Sequence, residues 1–142
     1  RRDDGTLVAY MRENGYTGHI RVAESSDEGV SWGVVGVSEL VNPGSGLDGV
    51  RLKNGHWILV HNDTQSGRNK LAVSLSKDEG ATWSHSRHLE NQPKGSFHYP
   101  CVIQTSDGMI HSVYSYFCDE GKTMMHAAFN EDWILAGDSK GE

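Results

Sequence analysis

The chain has 142 residues, with 13 Lys and Arg against 19 Asp and Glu, and a formal net charge of −6 argues against a general electrostatic grip on nucleic acid. No apolar stretch approaches the roughly 18 residues that a membrane helix needs, and the opening Arg1-Arg2-Asp3-Asp4-Gly5 is not a signal peptide. With 17 Gly, 3 Pro and short alternating segments, the chain is expected to hold many turns and little helix, which makes it all-β.

The opening does not begin with Met and falls inside what reads as a β-hairpin, so a piece of a longer reading frame is expected. Asp4-Gly5 is a hairpin turn signal, followed by a strand from Thr6 to Arg12, a loop over 13–18 and a strand from His19 to Glu24. After the stretch from Ser25 to Trp32, an outer strand is predicted from Val34 to Val41. The second unit reads as strands Gly46 to Leu52 and His56 to Asn62 around the turn Asn54-Gly55, a polar loop over 63–69, and strands Lys70 to Leu75 and Ser84 to Leu89. The third repeats the order with Tyr99 to Thr105, the turn Asp107-Gly108, Met109 to Phe117 and Met124 to Phe129, before a polar tail from Ala136 to Glu142 that is expected to fray.

Two octets punctuate this pattern: Ser25-Ser26-Asp27-Glu28-Gly29-Val30-Ser31-Trp32, and 51 residues later Ser76-Lys77-Asp78-Glu79-Gly80-Ala81-Thr82-Trp83. Repeats at such a period mark an array of β units. In each octet a short carboxylate can accept bonds from nearby backbone N–H groups, Gly29 or Gly80 supplies positive φ, Ser31 or Thr82 adds a hydroxyl, and Trp32 or Trp83 brings apolar surface to bury. From the turn glycine to the octet aspartate is 22 residues in the first unit and 23 in the second; 22 residues after Gly108 stands Asn130, where the motif is degenerate, without its glycine and with Trp133 arriving early. The predicted units are 1–41, 42–92 and 93–137.

If Asp107-Gly108 is a two-residue turn, Cys101 lies opposite Tyr114 and Cys118 opposite Phe97. The two sulfurs would then be about four residues apart along the ladder, roughly 13 Å, so free thiols are predicted. His85 and His88 are three apart in a predicted strand and face opposite sides, so they cannot share a metal, and neither a metal nor a cofactor is expected.

The pattern Ser-x-Asp-x-Gly-x-Ser/Thr-Trp resembles the Asp box of sialidases (neuraminidases) and related BNR-repeat propellers. The resemblance implies a β-propeller of four-stranded antiparallel blades, with about three blades here, half of a six-bladed ring. It extends to Asp4-Gly5-Thr6-Leu7-Val8-Ala9-Tyr10-Met11-Arg12, a strand that ends in an arginine of the family's carboxylate-binding triad, to Arg68 in the loop before the next box strand, and to Tyr99 opening the following blade. By that likeness Arg12 and Arg68 bind a substrate carboxylate and Tyr99 is the nucleophile, all at the strand ends that form the funnel.

Guanidinium groups suit a carboxylate because each offers two parallel hydrogen bonds. A neutral phenol suits attack beside a carboxylate because it is not repelled as a second carboxylate would be. A phenol titrates near pH 10, however, and needs a neighbouring base; the family's glutamate partner, acid/base aspartate and first arginine fall at positions before Arg1.

The leading expectation is thus the C-terminal part of an exo-sialidase-like glycoside hydrolase acting on terminal sialic acids, with a secreted or periplasmic setting implied by the family. One alternative is a polysaccharide lyase acting on uronate-containing glycans, with Tyr99 and His98 moving protons. Another is a non-catalytic carbohydrate-binding or interaction propeller. Open blade edges are expected to promote self-association, with two copies completing a ring, or to leave an open sector.

Overall fold

A computed structural model describes residues 1–138. Ten strands and one short helix follow in order: β1 (Leu7–Met11), β2 (His19–Ser25), β3 (Gly36–Val41), β4 (Asp48–Arg51), β5 (Trp57–His61), β6 (Lys70–Ser76), β7 (His85–Asn91), β8 (Ser96–Gln104), β9 (Ile110–Cys118), β10 (Gly121–Phe129) and α1 (Glu131–Ala136). They form three antiparallel sheets, β1-β2-β3, β4-β5-β6-β7 and β8-β9-β10, each a meander in chain order. The sheets stack as successive blades of a propeller. Among the described residues only the middle blade has the expected four strands; the first and third have three each.

The middle blade is covered on both faces, which explains why its central strands are apolar almost without alternation. All of β5 is buried, and so is β6 from Leu71 to Ser76. Toward the first blade, Leu59 packs with Ile20 and Leu40, with Tyr10, Leu47 and Trp83 at the margin. Toward the third, Ile58, Val60, Leu71, Val73 and Leu75 meet Phe97, Val102, Ile110 and Phe129. At about 1.5–3 kcal/mol for each large side chain removed from water, these two seams dominate the cohesion of the array.

The hairpin turns differ from the expected two-residue form. Thr105 N donates to Met109 O at 2.9 Å and Gly108 N donates to Thr105 O at 3.1 Å, closing a three-residue loop with Gly108 at φ +90°. The same pair of bonds closes the turns at Arg2–Thr6 and Leu52–His56. In each, the Asp or Asn side chain (Asp4, Asn54, Asp107) accepts the N–H two residues on. The extra residue moves the β8–β9 register by one, so Cys101 pairs with Val113 rather than Tyr114; a further extra residue in β8 between His98 and Cys101 makes the shift two at Phe97, which pairs with Tyr116 rather than Cys118. Both cysteines are free thiols.

The two octets make the same set of hydrogen bonds. Asp27 Oδ1 accepts Ser25 Oγ (2.8 Å) and Ser31 N (2.9 Å), and Oδ2 accepts Ser31 Oγ (2.5 Å). Asp78 repeats this with Ser76 Oγ (2.7 Å), Thr82 N (2.8 Å) and Thr82 Oγ1 (2.6 Å). Hydroxyl donation, with the backbone bond behind it, holds both carboxyls down to a pKa of about 2. Glu28 and Glu79 precede the glycines in positive φ as well, so the turn uses two left-handed residues in succession. Trp83 meets the Tyr10 ring edge-on at 5.6 Å across the blade boundary, whereas Trp32 is 46% exposed.

At the degenerate third motif the chain forms α1 instead. Asn130 caps it by accepting Trp133 N at 2.9 Å, with Glu131 and Asp132 in its first turn. Ile134 is buried in the core, and Arg87 lies over the Trp133 ring at 4.3 Å. Of the predicted frayed tail, Asp138 bonds the His88 backbone and ring at 2.9 and 2.6 Å; 139–142 lie outside the described residues.

Candidate functional site

Topology sorts the loops onto two ends. In the middle blade Trp57 pairs with Arg51 and Ser76, so the β4–β5 turn and the second octet share one end. Asp48 pairs with Val60, and His61 with Ala72, so the start of β4 and the 62–69 loop share the other. By the same register Arg12 follows the end of β1, and Tyr99 lies near the start of β8. All three sequence-selected residues thus stand at the end opposite the octets.

Tyr99 occupies an unusual piece of backbone. His98 pairs with Ser115 and Cys101 with Val113, leaving one extra residue in β8, a bulge. At the bulge Tyr99 has φ +49°, a conformation that a bulky residue rarely adopts and that costs of order 1–3 kcal/mol. Pro100, which has no N–H to lose from the ladder, is buried beneath it. The outcome is a phenol turned outward, 62% exposed, with its ring over Gly46, where a Cβ would sit 3.1 Å from Tyr99 Cδ1. Among the described residues no hydrogen bond holds the Tyr99 hydroxyl.

Arg68 is joined to this strand twice. Its carbonyl accepts Phe97 N at 2.8 Å, and its Nη1 donates to His98 Nδ1 at 2.5 Å. The His98 ring stacks on Phe117 at 4.3 Å, and its Nε2 lies 2.7 Å from Ser96 Oγ. Since Arg68 can only donate, Nδ1 is the acceptor, and the imidazole is neutral with its proton on Nε2. Burial lowers the His98 pKa, with the charges of Arg68 and Lys122 acting in the same sense.

Arg12 is exposed and, among the described residues, has neither an ion pair nor a hydrogen bond. The loop that begins with it packs on Gly44, whose Cβ would lie 2.6 Å from Glu13 O. The backbone just after Arg12 and the Tyr99 ring thus flank the short segment 44–46, and a concavity of about 280 Å³ opens beside it, lined by Glu13, Tyr16, Thr17, Asn42, Pro43 and Gln65.

A buried polar seam beneath this end went unread in the sequence. Ser45 Oγ donates to Asn62 Oδ1 at 2.6 Å, and Asn62 Nδ2 donates to the carbonyls of Lys70 (2.9 Å), Arg68 (3.3 Å) and Phe97 (3.3 Å). Asn42 Oδ1 accepts Ser45 N at 2.8 Å. One fully buried asparagine therefore ties the loop carrying Arg68 to the strand carrying Tyr99 and to the first blade. The only signal available was a polar residue closing an apolar strand. Behind it His61, fully buried, donates from Nδ1 to Val41 O at 3.1 Å and lies with Nε2 2.9 Å from Ser74 Oγ; burial lowers its pKa.

A second cleft, of about 250 Å³, lies between the first two blades, walled by Val8, Tyr10, Leu47, Trp57 and Trp83. It holds none of Arg12, Arg68 and Tyr99. Among the described residues no three His, Cys, Asp or Glu side chains converge as a metal-binding group.

Stacked antiparallel blades and twin octets define a sialidase-like β-propeller. The BNR repeat-like domain family matches residues 1–112, and the chain belongs to it. A sialidase from Micromonospora viridifaciens is 27% identical over 141 residues, covering 92% of this chain and 21% of that protein. The intramolecular trans-sialidase from Ruminococcus gnavus superposes with a TM-score of 0.77 at 19% identity, over 93% of this chain and 32% of that one. An α-L-arabinanase from Penicillium chrysogenum does so with a TM-score of 0.68 at 19% identity, over 91% and 44%. The likeness to these two solved structures speaks for the fold, which glycoside hydrolases of different specificity share, and the chain spans less than half of each protein it resembles here.

Proposed function

We propose that this end of the propeller captures the carboxylate of a terminal sialic acid on a glycan. Arg68 and Arg12 grip the carboxylate, and Tyr99 faces the anomeric carbon as the nucleophile of a retaining exo-sialidase-like hydrolase, with the octets acting as structural Asp boxes. The observation that carries the reading is Tyr99 itself. A strained bulge holds its phenol exposed next to His98, the residue that anchors Arg68.

In the reaction the phenolic oxygen would bond to the anomeric carbon as the glycosidic oxygen departs with a proton, and water would then cleave the tyrosyl–sugar bond. No carboxylate or other base stands within hydrogen-bonding distance of the Tyr99 hydroxyl among the described residues, so carboxylate capture is the part assigned to this chain alone. That same observation favours a carbohydrate-binding module as the second reading. The lyase alternative is disfavoured because both His98 nitrogens are engaged, leaving neither free to move a substrate proton.

NMR titration of the 142-residue chain with N-acetylneuraminic acid tests the proposal. Saturable shifts at Arg68, His98 and Tyr99, lost in Arg68→Ala and absent with L-arabinose, are expected. A response to arabinose alone would move the reading to neutral-sugar chemistry, and undiminished binding by Arg68→Ala would refute it.

A further inference from the structure

We propose that His98 is a positioning residue for Arg68: its neutral imidazole anchors one edge of the guanidinium and leaves the other edge to grip the ligand carboxylate. The inference rests on the carboxylate-binding role given to Arg68 above, and goes on to say how that arginine is held and when it is released.

The geometry allows little else. Arg68 lies in a polar loop whose backbone is fixed by the Phe97 N–H and by Asn62, but its side chain has one partner, His98 Nδ1, among the described residues. With Nη1 occupied, Nε and Nη2 remain as a two-pronged donor, the pair of N–H groups that matches two carboxylate oxygens. The imidazole cannot turn away easily. Its opposite nitrogen is bonded to Ser96 Oγ and its face is stacked on Phe117.

Among the described residues, every charged group that faces His98 is a cation. Arg68 approaches from the β5–β6 loop, and from β10 the Lys122 ammonium lies 4.7 Å from the centre of the Phe117 ring on which His98 stacks; Tyr99 and Ser96 on its own strand are uncharged. Among the described residues no carboxylate is in place to compensate a proton on the ring. The lowered His98 pKa accords with that setting. A proton on Nδ1 would remove the one acceptor Arg68 has among the described residues and set two cations against each other. The anchor is therefore lost in acid, and the prearranged fork becomes a mobile side chain.

The test is affinity for N-acetylneuraminic acid, whose carboxylate stays ionised throughout, measured between pH 7.5 and 5. Wild type is expected to weaken about tenfold over this range, the size of one charge-assisted hydrogen bond. His98→Ala should bind about tenfold more weakly at pH 7.5, with a flat profile. His98→Asn, which offers an acceptor at nearly the Nδ1 position but no titratable proton, should recover the pH 7.5 affinity and keep it at pH 5. A structural role alone would not give a rescue that also abolishes the pH dependence.

Imidazole ¹⁵N shifts give a readout that needs no ligand. Nδ1 should be unprotonated at pH 7.5, and Arg68→Ala should raise the titration midpoint of His98. A protonated Nδ1, or a His98→Ala variant with wild-type affinity and pH profile, overturns this inference and leaves the carboxylate reading standing if Arg68→Ala still loses binding. Absence of binding by wild type, or full binding by Arg68→Ala, overturns both.

Discussion

Gly29 and Gly80 occupy the same place in the two octets and share φ +85°, but they face different surroundings. A Cβ on Gly29 would meet Leu7 Cδ1 at 3.5 Å and Trp32 at 3.7 Å, ordinary contacts. On Gly80 it would fall 2.2 Å from Tyr10 Oη and 3.1 Å from the Trp57 ring, because the first blade closes over this octet. Gly29→Ala should therefore cost only the left-handed backbone term, about 1–2 kcal/mol.

Gly80→Ala should cost that and more. Overpacking adds about 1–3 kcal/mol, and displacement of the Tyr10 hydroxyl from Gly80 O, now 3.3 Å away, adds about 1 kcal/mol. A difference of about 2–4 kcal/mol lowers the urea midpoint of Gly80→Ala by roughly 1–2 M relative to Gly29→Ala. Tyr10→Phe in the Gly80→Ala background, by removing the colliding oxygen, should restore part of the loss. Equal midpoints for the two glycine variants, or no recovery with Tyr10→Phe, would refute the claim that the second octet works as an inter-blade joint.

Asn62→Ala should cost about 3 kcal/mol in urea unfolding, since the asparagine bonds carbonyls of Arg68, Lys70 and Phe97 and the Ser45 hydroxyl; a loss under 0.5 kcal/mol would deny the seam its role. Acid should destabilise the chain in two stages. Below about pH 6.5 the unfolded chain binds protons that buried His61 and partly buried His98 resist. Between about pH 4 and about 2 it binds protons that Asp27 and Asp78, whose folded pKa values are about 2, still refuse, so their contribution is present above that window and lost as pH falls through it. Urea midpoints unchanged from pH 7.5 to 5 would contradict the first stage, and midpoints unchanged from pH 4 to 2 the second. The outer edges of β1 and β10 pair with no strand among the described residues, and sedimentation equilibrium should show self-association; a monomer with protected edge amides would contradict it.

The blades were legible because their punctuation is local. An octet spends its side chains on its own backbone, and the spacing from turn glycine to octet aspartate carried the register from one unit to the next. The same locality set the limits. Asp-Gly announces a turn but not whether it holds two residues or three; that one residue displaced the partner of Cys101, and the bulge in β8 added a second at Phe97, the expected partner of Cys118. At Asn130 the missing glycine was read as a weakened motif, although Asn followed by Glu and Asp is also the signature of a helix start, and the helix won.

Within the site, the likeness of the first strand, the loop arginine and the strand-opening tyrosine placed all three residues at one end. The sequence could not show that Tyr99 sits in positive φ, because Pro100 only disfavours the helical region before it. Nor could it pair Arg68 with His98 across 30 residues, or reveal Asn62 as the tie between their backbones. Those contacts depend on how two blades meet, and no local pattern encodes that.

A structure of the 142-residue chain in complex with N-acetylneuraminic acid tests the carboxylate-capture claim most directly. The account predicts both carboxylate oxygens within roughly 2.7–2.9 Å of Arg68 Nε and Nη2, Nη1 still on His98, and the anomeric carbon about 3–3.5 Å from the Tyr99 hydroxyl. A sugar lodged in the cleft between the first two blades, or at the strand ends with its carboxylate turned away from Arg68, would contradict it.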